Sequence, residues 1–437
     1  MTRQMHLFAY LKTGPTALHA GGWRHPDAVL DDFLEPGRYQ AIARTLEQAC
    51  FDGCFFADLQ GLYDIHGGGF DTYVRRGGQI SFLDPMVVLP VMAAVTSRLG
   101  LGATLSTSFL HPYHLARALL SMDVLSKGRM AWNIVTSATD LEARNYGMDE
   151  IADKAARYER ADEVVEACMK LWKSWDKDAF TLDKESGLFA DPAKVHYANY
   201  EGRYVRTRGP LSIPQSAQGH PVLMQAGSSP RGIQFAARWA EIVFAPDAAD
   251  DKMQENYRTL KQGIVAADRS PDDCALCVQT TCIVAETDSM AQERADYVNA
   301  LATEELNMAT VSANSGVDVS RLAGSESVAD LAKNQGIHEA LSMLETVQRE
   351  RGAALRQTLE RRLPNMIVGS YKTVADRLEA MFTSGCCDGF VLTPVMFPGS
   401  HESFCRMVVP ELQRRGLFRT HYTGTTLREH LGTTPGR

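Results

Sequence analysis

The chain has no apolar run long enough to cross a membrane and no excess of basic residues. Its 437 residues include 53 acidic and 45 basic side chains, which give a formal net charge of −8 at pH 7. A chain of this charge offers no electrostatic attraction for nucleic acid. The first apolar stretch, in MTRQMHLFAYLKTG, is too short for a secretory signal peptide. We therefore expect a cytoplasmic protein that binds neither nucleic acid nor membrane.

Several motifs of well-known enzyme classes are also missing. The sequence has no GxSxG elbow and no His, Asp and Glu spacing typical of a metal site. Gly100 and Gly102 begin a predicted strand without the third glycine of a dinucleotide fingerprint. The nine cysteines are scattered, and the CxxC pair Cys274 and Cys277 lies in a predicted strand, where positions three apart face opposite sides. We expect buried free thiols in a reducing compartment and no metal.

What the sequence does contain is an alternation of apolar strands and amphipathic helices. Eight such strands are predicted, in MHLFAYL, GCFFAD, LGLGATLSTS, RMAWNIVTS, PVLMQA, EIVFAPD, CALCVQTTCIVA and CDGFVLTP. Eight near-continuous apolar strands with intervening helices predict an α/β fold, a single (β/α)8 TIM-barrel domain over residues 1–437. Two long insertions, about 173–218 and 303–365, and a C-terminal extension, about 420–437, interrupt or follow the repeat, and the extension could serve as an oligomer arm. An open doubly wound sheet is the alternative, and it fits less well without a glycine fingerprint.

The segment Pro221–Pro230, PVLMQAGSSP, reads as a strand, a tight turn and a helix start. Backbone N–H groups at a helix start have no partner within the helix, so a phosphate fits there. Ser228 and Ser229 could add hydroxyl donors to such a phosphate. The alternative is a serine that caps the helix without any ligand.

In a barrel of this kind the carboxyl ends of the strands share one mouth. Hydroxyl and amide side chains dominate the predicted strand ends, which are Asp58, Thr104, Ser106, Thr107, Asn133, Thr136, Ser137 and the segments from Gln225 to Ser229 and from Phe244 to Asp247. Asn133 lies in an apolar strand, and its amide must be paired by a ligand ring edge or by neighbouring backbone. Asp58 contacts a ligand or caps a turn. Uncharged donors beside a phosphate cradle suit a planar cofactor with a phosphate tail.

Seven blocks of this sequence occur in the order of a known family. They are FFADLQGLYDIHGG, LGATLSTSFLHPYHLAR, SKGRMAWNIVTS, ARNYGM, ARYERADEVV, HYANYEGRYVRTRGPLSIPQSAQGHPVLMQAGSSPRG and MIVGSYKTVADRL. In these blocks, from about residue 3 to about residue 420, the chain resembles the bacterial-luciferase-like flavin monooxygenases. It is most similar to their branch of nitrilotriacetate, EDTA, dibenzothiophene-sulfone and long-chain alkane monooxygenases.

The resemblance implies a two-component monooxygenase that uses reduced FMN (FMNH2) and O2 and receives its flavin from a separate NAD(P)H-dependent flavin reductase. The flavin would carry the chemistry, as a flavin peroxide that inserts one oxygen atom into a small organic substrate, so no side chain is assigned as catalytic. Carried over from the family, Ser137, Tyr158, Ser228 and Ser229 would hold the phosphate and ribityl end, and Asp58, Thr104 and Asn133 would line the isoalloxazine ring. A homodimer or homotetramer is expected.

Substrate-pocket candidates are taken from the predicted mouth-side loops: Tyr63, Gln79, His111, His196 and Phe244. The two insertions are the expected lids. Few predicted mouth residues are basic, which favours a neutral or sulfur-bearing substrate, such as an organosulfur compound, an amine or a hydrocarbon. The alternatives are a deazaflavin (F420)-dependent oxidoreductase of the same fold, a non-catalytic flavin-binding protein, and a metal-dependent barrel hydrolase.

Overall fold

A computed structural model describes residues 3–227, 229–323 and 366–434. Within these ranges eight parallel strands close into a barrel, each paired with its neighbours in chain order. They are β1 (His6–Leu11), β2 (Gly53–Phe56), β3 (Gly100–Ser106), β4 (Met130–Val135), β5 (Val222–Ala226), β6 (Ile242–Ala245), β7 (Ala275–Ala285) and β8 (Gly389–Thr393). Pairing of His6 with Gly389 joins β8 to β1 and closes the ring. The predicted (β/α)8 barrel is confirmed.

Helices on the outside of the barrel connect the strands. The barrel helices are α1 (Pro36–Gln48), α2 (Pro85–Ala93), α3 (Pro112–Leu125), α4 (Lys154–Trp172), α5 (Pro230–Trp239), α6 (Asp250–Ala266), α7 (Tyr371–Thr383) and α8, whose contiguous segments are Gly399–Ser403, Phe404–Val408 and Val409–Arg414. Proline begins α1, α2, α3 and α5, where its fixed φ and missing N–H cost nothing. No helix in the described ranges is long and apolar enough to span a membrane.

Shorter elements decorate this framework. Additional helices are Asp71–Arg75, Asp140–Asn145, Asp288–Ala300, Glu304–Ser315 and Leu427–Leu431, and short 3₁₀ turns cover Gly22–Arg24, His66–Gly68, Pro192–Lys194, Pro271–Asp273 and Val319–Ala323. Residues 173–218 contain two small antiparallel hairpins, Phe180–Asp183 with Leu188–Ala190 and Tyr200–Glu201 with Arg206–Thr207. Of the second predicted insertion, residues 324–365 lie outside the described residues.

Besides the strands of the two hairpins, the described ranges contain one strand that was not predicted. Residues Ile367–Ser370 pair in parallel with the last four residues of β7, Cys282–Ala285. The physical reason is the length of β7, which has 11 residues and extends beyond the part that pairs with β6 and β8. Its projecting end would expose an unpaired edge, and the short strand satisfies those backbone groups.

Aromatic side chains fill the middle of the barrel. Phe55 stacks on Phe244 with ring centroids 4.5 Å apart, and Phe8 meets Phe244 edge-on at 6.2 Å. Gly102 makes room for this packing, because a Cβ at Gly102 would lie 2.7 Å from the Cβ of Phe55. The two glycines at the start of β3 therefore serve close packing, since a Cβ at Gly100 would lie 2.6 Å from a methyl group of Leu427.

The C-terminal segment closes the amino-terminal end of the barrel. Helix Leu427–Leu431 starts with a capping box formed by Thr426 and Glu429, and Leu427 packs with the barrel interior. The guanidinium of Arg428 donates to both carboxylate oxygens of the buried Glu241, at 2.7 Å and 2.8 Å. The described part of the tail, to residue 434, thus packs on its own barrel, and residues 435–437 lie outside the described residues.

We predict that Arg428→Ala lowers the free energy of unfolding by about 3–5 kcal/mol, because it leaves the buried Glu241 carboxylate without its cation. Urea denaturation measures the change. Arg203→Ala is the matched control: Arg203 pairs with Glu159 but its side chain is 77% exposed, so its loss should cost less than about 1 kcal/mol. Equal effects of the two substitutions would contradict a structural role for the buried pair.

Candidate active site

A cavity of about 590 Å³ opens at the carboxyl ends of the barrel strands. Its wall comes from the ends of β4, β5, β6 and β7 and from the loops after β2 and β4. Among the described residues the lining consists of Asp58, Leu59, Tyr63, Ile134, Val135, Thr136, Ser137, Ala138, Thr139, Glu142, Tyr158, Gln225, Ala226, Gly227, Phe235, Phe244, Ala245, Pro246 and Gln279. This is where barrels of this type place their active sites.

Thr104 and Asn133 lie side by side on β3 and β4, because the strand register pairs them. The Thr104 hydroxyl donates to the Phe56 carbonyl at 2.7 Å and accepts from the Asn133 amide nitrogen at 2.8 Å. The Asn133 Oδ1 atom is buried and has no hydrogen-bond partner among the described residues. The Asn133 amide nitrogen therefore donates to neighbouring protein, and its oxygen remains available to accept a hydrogen bond.

Gln225 repeats this arrangement at the end of β5. Its Nε2 donates to the Ala226 carbonyl at 3.2 Å, and its buried Oε1 has no partner among the described residues. Unpaired buried acceptors are rare because they keep the full cost of desolvation. Two amide oxygens in this condition, in and beside one cavity, indicate a ligand that brings N–H donors.

Ser137 follows β4 in a left-handed backbone conformation, with φ of 50°. Such conformations are uncommon for residues other than glycine and tend to occur at functional sites. The Ser137 hydroxyl lies 3.0 Å from the Ser106 hydroxyl and 3.3 Å from a carboxylate oxygen of Glu142. The side chain is thereby fixed at the cavity wall.

The start of α5 forms a cradle at one end of the cavity. Ser229 caps this helix, and its Oγ accepts from the Gly232 N–H at 3.2 Å. A Cβ at Gly232 would lie 3.1 Å from the Tyr158 hydroxyl and 3.2 Å from Ser229 Oγ. Gly227 has φ of 154°, and a Cβ there would lie 3.0 Å from Gln225 Nε2. Hydroxyl groups and glycine backbone thus converge at a helix N-terminus, as in anion sites. Ser228, predicted for the same phosphate, lies outside the described residues.

Two carboxyl groups share the cavity. Burial raises the pKa of Asp58 and of Glu142 above their usual values. The negative charge of Asp58 raises the pKa of Glu142 further. Hydroxyl donors partly offset this at Glu142, whose Oε2 accepts from Thr139 at 2.9 Å. No lysine, arginine or histidine is among the described lining residues, so the lining carries negative charge wherever these acids ionise.

Of the predicted substrate residues, Tyr63 and Phe244 line the cavity and three do not. The Tyr63 hydroxyl donates to Asn314 Oδ1 at 2.8 Å, whereas Gln79 is half-buried outside the described lining. His111 caps α3, and its Nε2 lies 3.1 Å from the Arg206 carbonyl. His196 is exposed and lies 3.3 Å from Asp176. Both histidines lie outside the cavity because neither is at a strand end. His111 is positioned as a helix cap, and His196 belongs to the insertion between its two hairpins.

Glu142 and Gln279 line the cavity without having been predicted. Gln279 is a polar residue within the apolar strand β7, so the argument applied to Asn133 would have found it. Glu142 sits in the short helix Asp140–Asn145, where a charged residue in a polar segment looks like ordinary surface. Its burial depends on the fold and left no signal in the sequence.

The described residues offer no metal site. No group of three or more His, Cys, Asp or Glu side chains in the described ranges is arranged to hold a metal ion. All nine cysteines are free, and eight are buried. Cys274 packs with the layer between barrel and helices and Cys277 with the barrel interior, so the CxxC pair faces opposite sides, as predicted.

Comparisons with known proteins agree with this geometry. The sequence profile of the family described as luciferase-like monooxygenase matches residues 12–387. The chain is 42% identical to the dibenzothiophene-sulfone monooxygenase of Rhodococcus erythropolis (strain XP), over 98% of this chain and 97% of that protein. It is 34% identical to nitrilotriacetate monooxygenase component A of Aminobacter aminovorans, over 98% and 96%. A crystal structure of riboflavin lyase with modified FMN and riboflavin superposes with a TM-score of 0.89 at 34% identity, over 99% of this chain and 96% of that one.

We predict that Gln225→Met raises the free energy of unfolding of the ligand-free protein by about 1 kcal/mol. Methionine keeps the length of the side chain and removes a buried oxygen that has no partner in the part of the chain that the structure describes. Thermal and urea denaturation without ligand measure the effect. Gln48→Met, at an exposed position of α1, is the control and should leave stability nearly unchanged. A loss of stability in Gln225→Met would mean that the oxygen is satisfied in the free protein.

Proposed function

Because this chain belongs to the luciferase-like monooxygenase family of flavin-dependent enzymes, we propose that it is the oxygenase component of a two-component system that uses reduced FMN. Its reaction inserts one atom of O2 into a small organic substrate. The observation that carries the proposal is that a phosphate-sized cradle and two buried amide oxygens without a donor among the described residues occur in and beside one cavity. A flavin mononucleotide presents those two features at its opposite ends.

The cradle end fits the phosphate and ribityl chain. Gly227 and Gly232 leave open the space that side chains would fill, and Tyr158 and Ser229 place hydroxyl groups beside it. The N–H groups at the start of α5 and the helix dipole favour an anion there. Ser137 faces the same cavity from the end of β4. Phosphate contacts that are charge-assisted are stronger than neutral ones, so this end supplies much of the affinity.

The other end fits a flavin ring. Asn133, beside the cavity, offers an acceptor oxygen to ring N–H groups, Gln225 offers another nearer the cradle, and Asp58 adds a carboxyl group to the cavity wall. Below them, stacked Phe55 and Phe244 form a rigid apolar floor. A side chain packed in this way holds a planar ligand in one orientation without supplying chemistry of its own.

When bound, reduced FMN would supply the electrons that activate O2. The residues of this chain orient the ring, exclude water and shape the space above it. Tyr63 contributes to that space and is tied to the helix Glu304–Ser315 through Asn314, so the second insertion reaches the cavity. We infer that this contact is part of the lid over the substrate.

A separate reductase is part of the proposal. The chain has no glycine-rich dinucleotide motif after a strand, and one relative is named component A, which implies a second component in that system. A reductase that uses NAD(P)H would deliver reduced FMN by diffusion or by transient contact. The flavin site of this chain would then prefer the reduced form.

The substrate is inferred to be neutral and apolar, with a sulfur-bearing ring compound as the first candidate. Acidic groups and apolar side chains line the described cavity, so a polycarboxylate would meet electrostatic repulsion. The relative named for dibenzothiophene sulfone acts on a neutral sulfur compound, and it is 42% identical to this chain. Its named substrate is therefore the first compound to test.

The proposal is tested by anaerobic titration of the purified protein with reduced and with oxidised FMN. We expect tighter binding of the reduced form, followed by substrate-dependent O2 uptake when dibenzothiophene sulfone is present. Mass spectrometry after reaction under ¹⁸O2 should find one labelled oxygen atom in the product. Failure to bind either form of FMN would refute the assignment.

We predict that Gly232→Ala weakens binding of reduced FMN by roughly 10- to 100-fold, because the new methyl group occupies the cradle beside Tyr158 and Ser229. Affinity for reduced riboflavin, which lacks the phosphate, should change little. Gly263→Ala in α6 is the matched control, since a Cβ there makes only ordinary contacts, the nearest at 3.4 Å, with Ala237. An equal loss for riboflavin and FMN would show that the cradle does not hold the phosphate.

A further inference from the structure

Lys12 stands immediately beyond β1, next to the carboxyl group of Asp58 beyond β2. The register pairs Leu11 with Phe56, so the two side chains leave neighbouring strands at nearly the same level. Asp58 lines the cavity, whereas Lys12 is half-buried and is not among the described lining residues. Lys12 is therefore a cation close to the acidic part of the cavity wall, although it does not itself line the cavity.

Ser81 connects the two residues. Its hydroxyl lies 3.4 Å from Lys12 Nζ and accepts at 3.3 Å from the N–H of Leu59, the residue after Asp58, and it lowers the pKa of the Asp58 carboxyl group. The described hydrogen bond of Lys12 Nζ is with the Ser81 hydroxyl, and the ammonium interacts with Asp58 through space. Partial burial of the Lys12 ammonium costs free energy, and a favourable electrostatic interaction must offset that cost.

The charges around this group act in opposite directions. Burial raises the pKa of Asp58, and the Ser81 hydroxyl and the Lys12 ammonium lower it. Burial lowers the pKa of Lys12 to about 8, against the attraction of Asp58 and Glu142. The remaining ionisable groups that face Asp58 are Asp84 at the start of α2, Glu142 on the helix after β4, Tyr146 at the end of that helix, and Tyr63 on the same cavity wall.

We propose that Lys12, acting through Ser81, is a positioning residue that keeps Asp58 ionised at the cavity wall. Lys12 attracts both acids of the cavity, but Glu142 is hydrogen-bonded by the Ser137 and Thr139 hydroxyls, whereas Ser81 links Lys12 to the chain beside Asp58, so the two acids are not equivalent. An ionised Asp58 accepts a hydrogen bond from a ligand N–H, whereas a protonated one would donate. This inference rests on the proposed flavin site only for its consequence, since the charge state of Asp58 belongs to the free protein.

The first experiment uses the protein without ligand. Infrared spectroscopy across pH follows the carboxyl C=O stretch, and the difference between wild type and Asp58→Asn isolates Asp58. We expect Lys12→Met to raise the pH midpoint of Asp58 by about one unit or more, because a neighbouring positive charge has been removed. Lys12→Arg retains the charge and should stay closer to wild type. Removal of a like charge by Glu142→Gln should lower the midpoint.

The second experiment measures the affinity for reduced FMN as a function of pH. With Asp58 as an acceptor, affinity falls as pH decreases through its midpoint, and in Lys12→Met that fall should begin at a higher pH. The FMN phosphate itself titrates at about pH 6. The affinity profile of Asp58→Asn therefore serves as the reference, because it contains the phosphate titration without that of Asp58.

An unchanged Asp58 midpoint in folded Lys12→Met would overturn the inference, because a purely structural lysine would alter stability and leave the midpoint in place. Failure of the wild type to bind FMN, together with a shifted infrared midpoint, would refute the flavin proposal and support the role of Lys12. Binding of FMN without a shift of the infrared midpoint would support the flavin proposal and refute the role of Lys12.

Discussion

Closure of the eight-stranded barrel is the constraint on which the rest of the structure depends. A barrel of this size has an interior just wide enough for side chains. Here Leu427 enters from the amino-terminal end, and the rings of Phe8, Phe55 and Phe244 fill the middle. The filling stops below the carboxyl ends of the strands, and the remaining space is the cavity. Its residues come from distant parts of the chain because the strand ends meet only when the ring is closed.

The cavity combines two kinds of polar group with different energetic consequences. Thr104, Ser137 and Thr139 are paired with neighbouring protein and hold the wall in place. The acceptor oxygens of Asn133 and Gln225 have no hydrogen-bond partner among the described residues, which costs stability in the free protein. A ligand that supplies donors recovers that cost on binding. In the proposed flavin site, ligand binding is therefore in opposition to the stability of the free protein at these two positions.

Electrostatics divides the cavity along its length. The start of α5 favours an anion, whereas Asp58 and Glu142 place acidic groups in the wall. A ligand with a phosphate at one end and a neutral ring with N–H donors at the other matches both. Lys12 lies behind the acidic wall, where it influences the charge without offering a cation to the substrate. Such an arrangement disfavours strongly anionic substrates and leaves neutral ones unaffected.

The sequence by itself determined the fold, because eight apolar strands with helical periodicity between them are compatible with few alternative folds. It also located the cradle, because Gly227, Ser229 and Pro230 predict a strand end, a turn and a helix start. Asn133 was proposed as a site residue for the same kind of reason, because a buried amide in an apolar strand must be paired. Tertiary structure alone decided the burial of Glu142, the exclusion of His111 and His196, and the placement of Lys12 beside Asp58. Those depend on which strand ends and loops face one another, and long-range contacts of that kind leave no local periodicity in the chain.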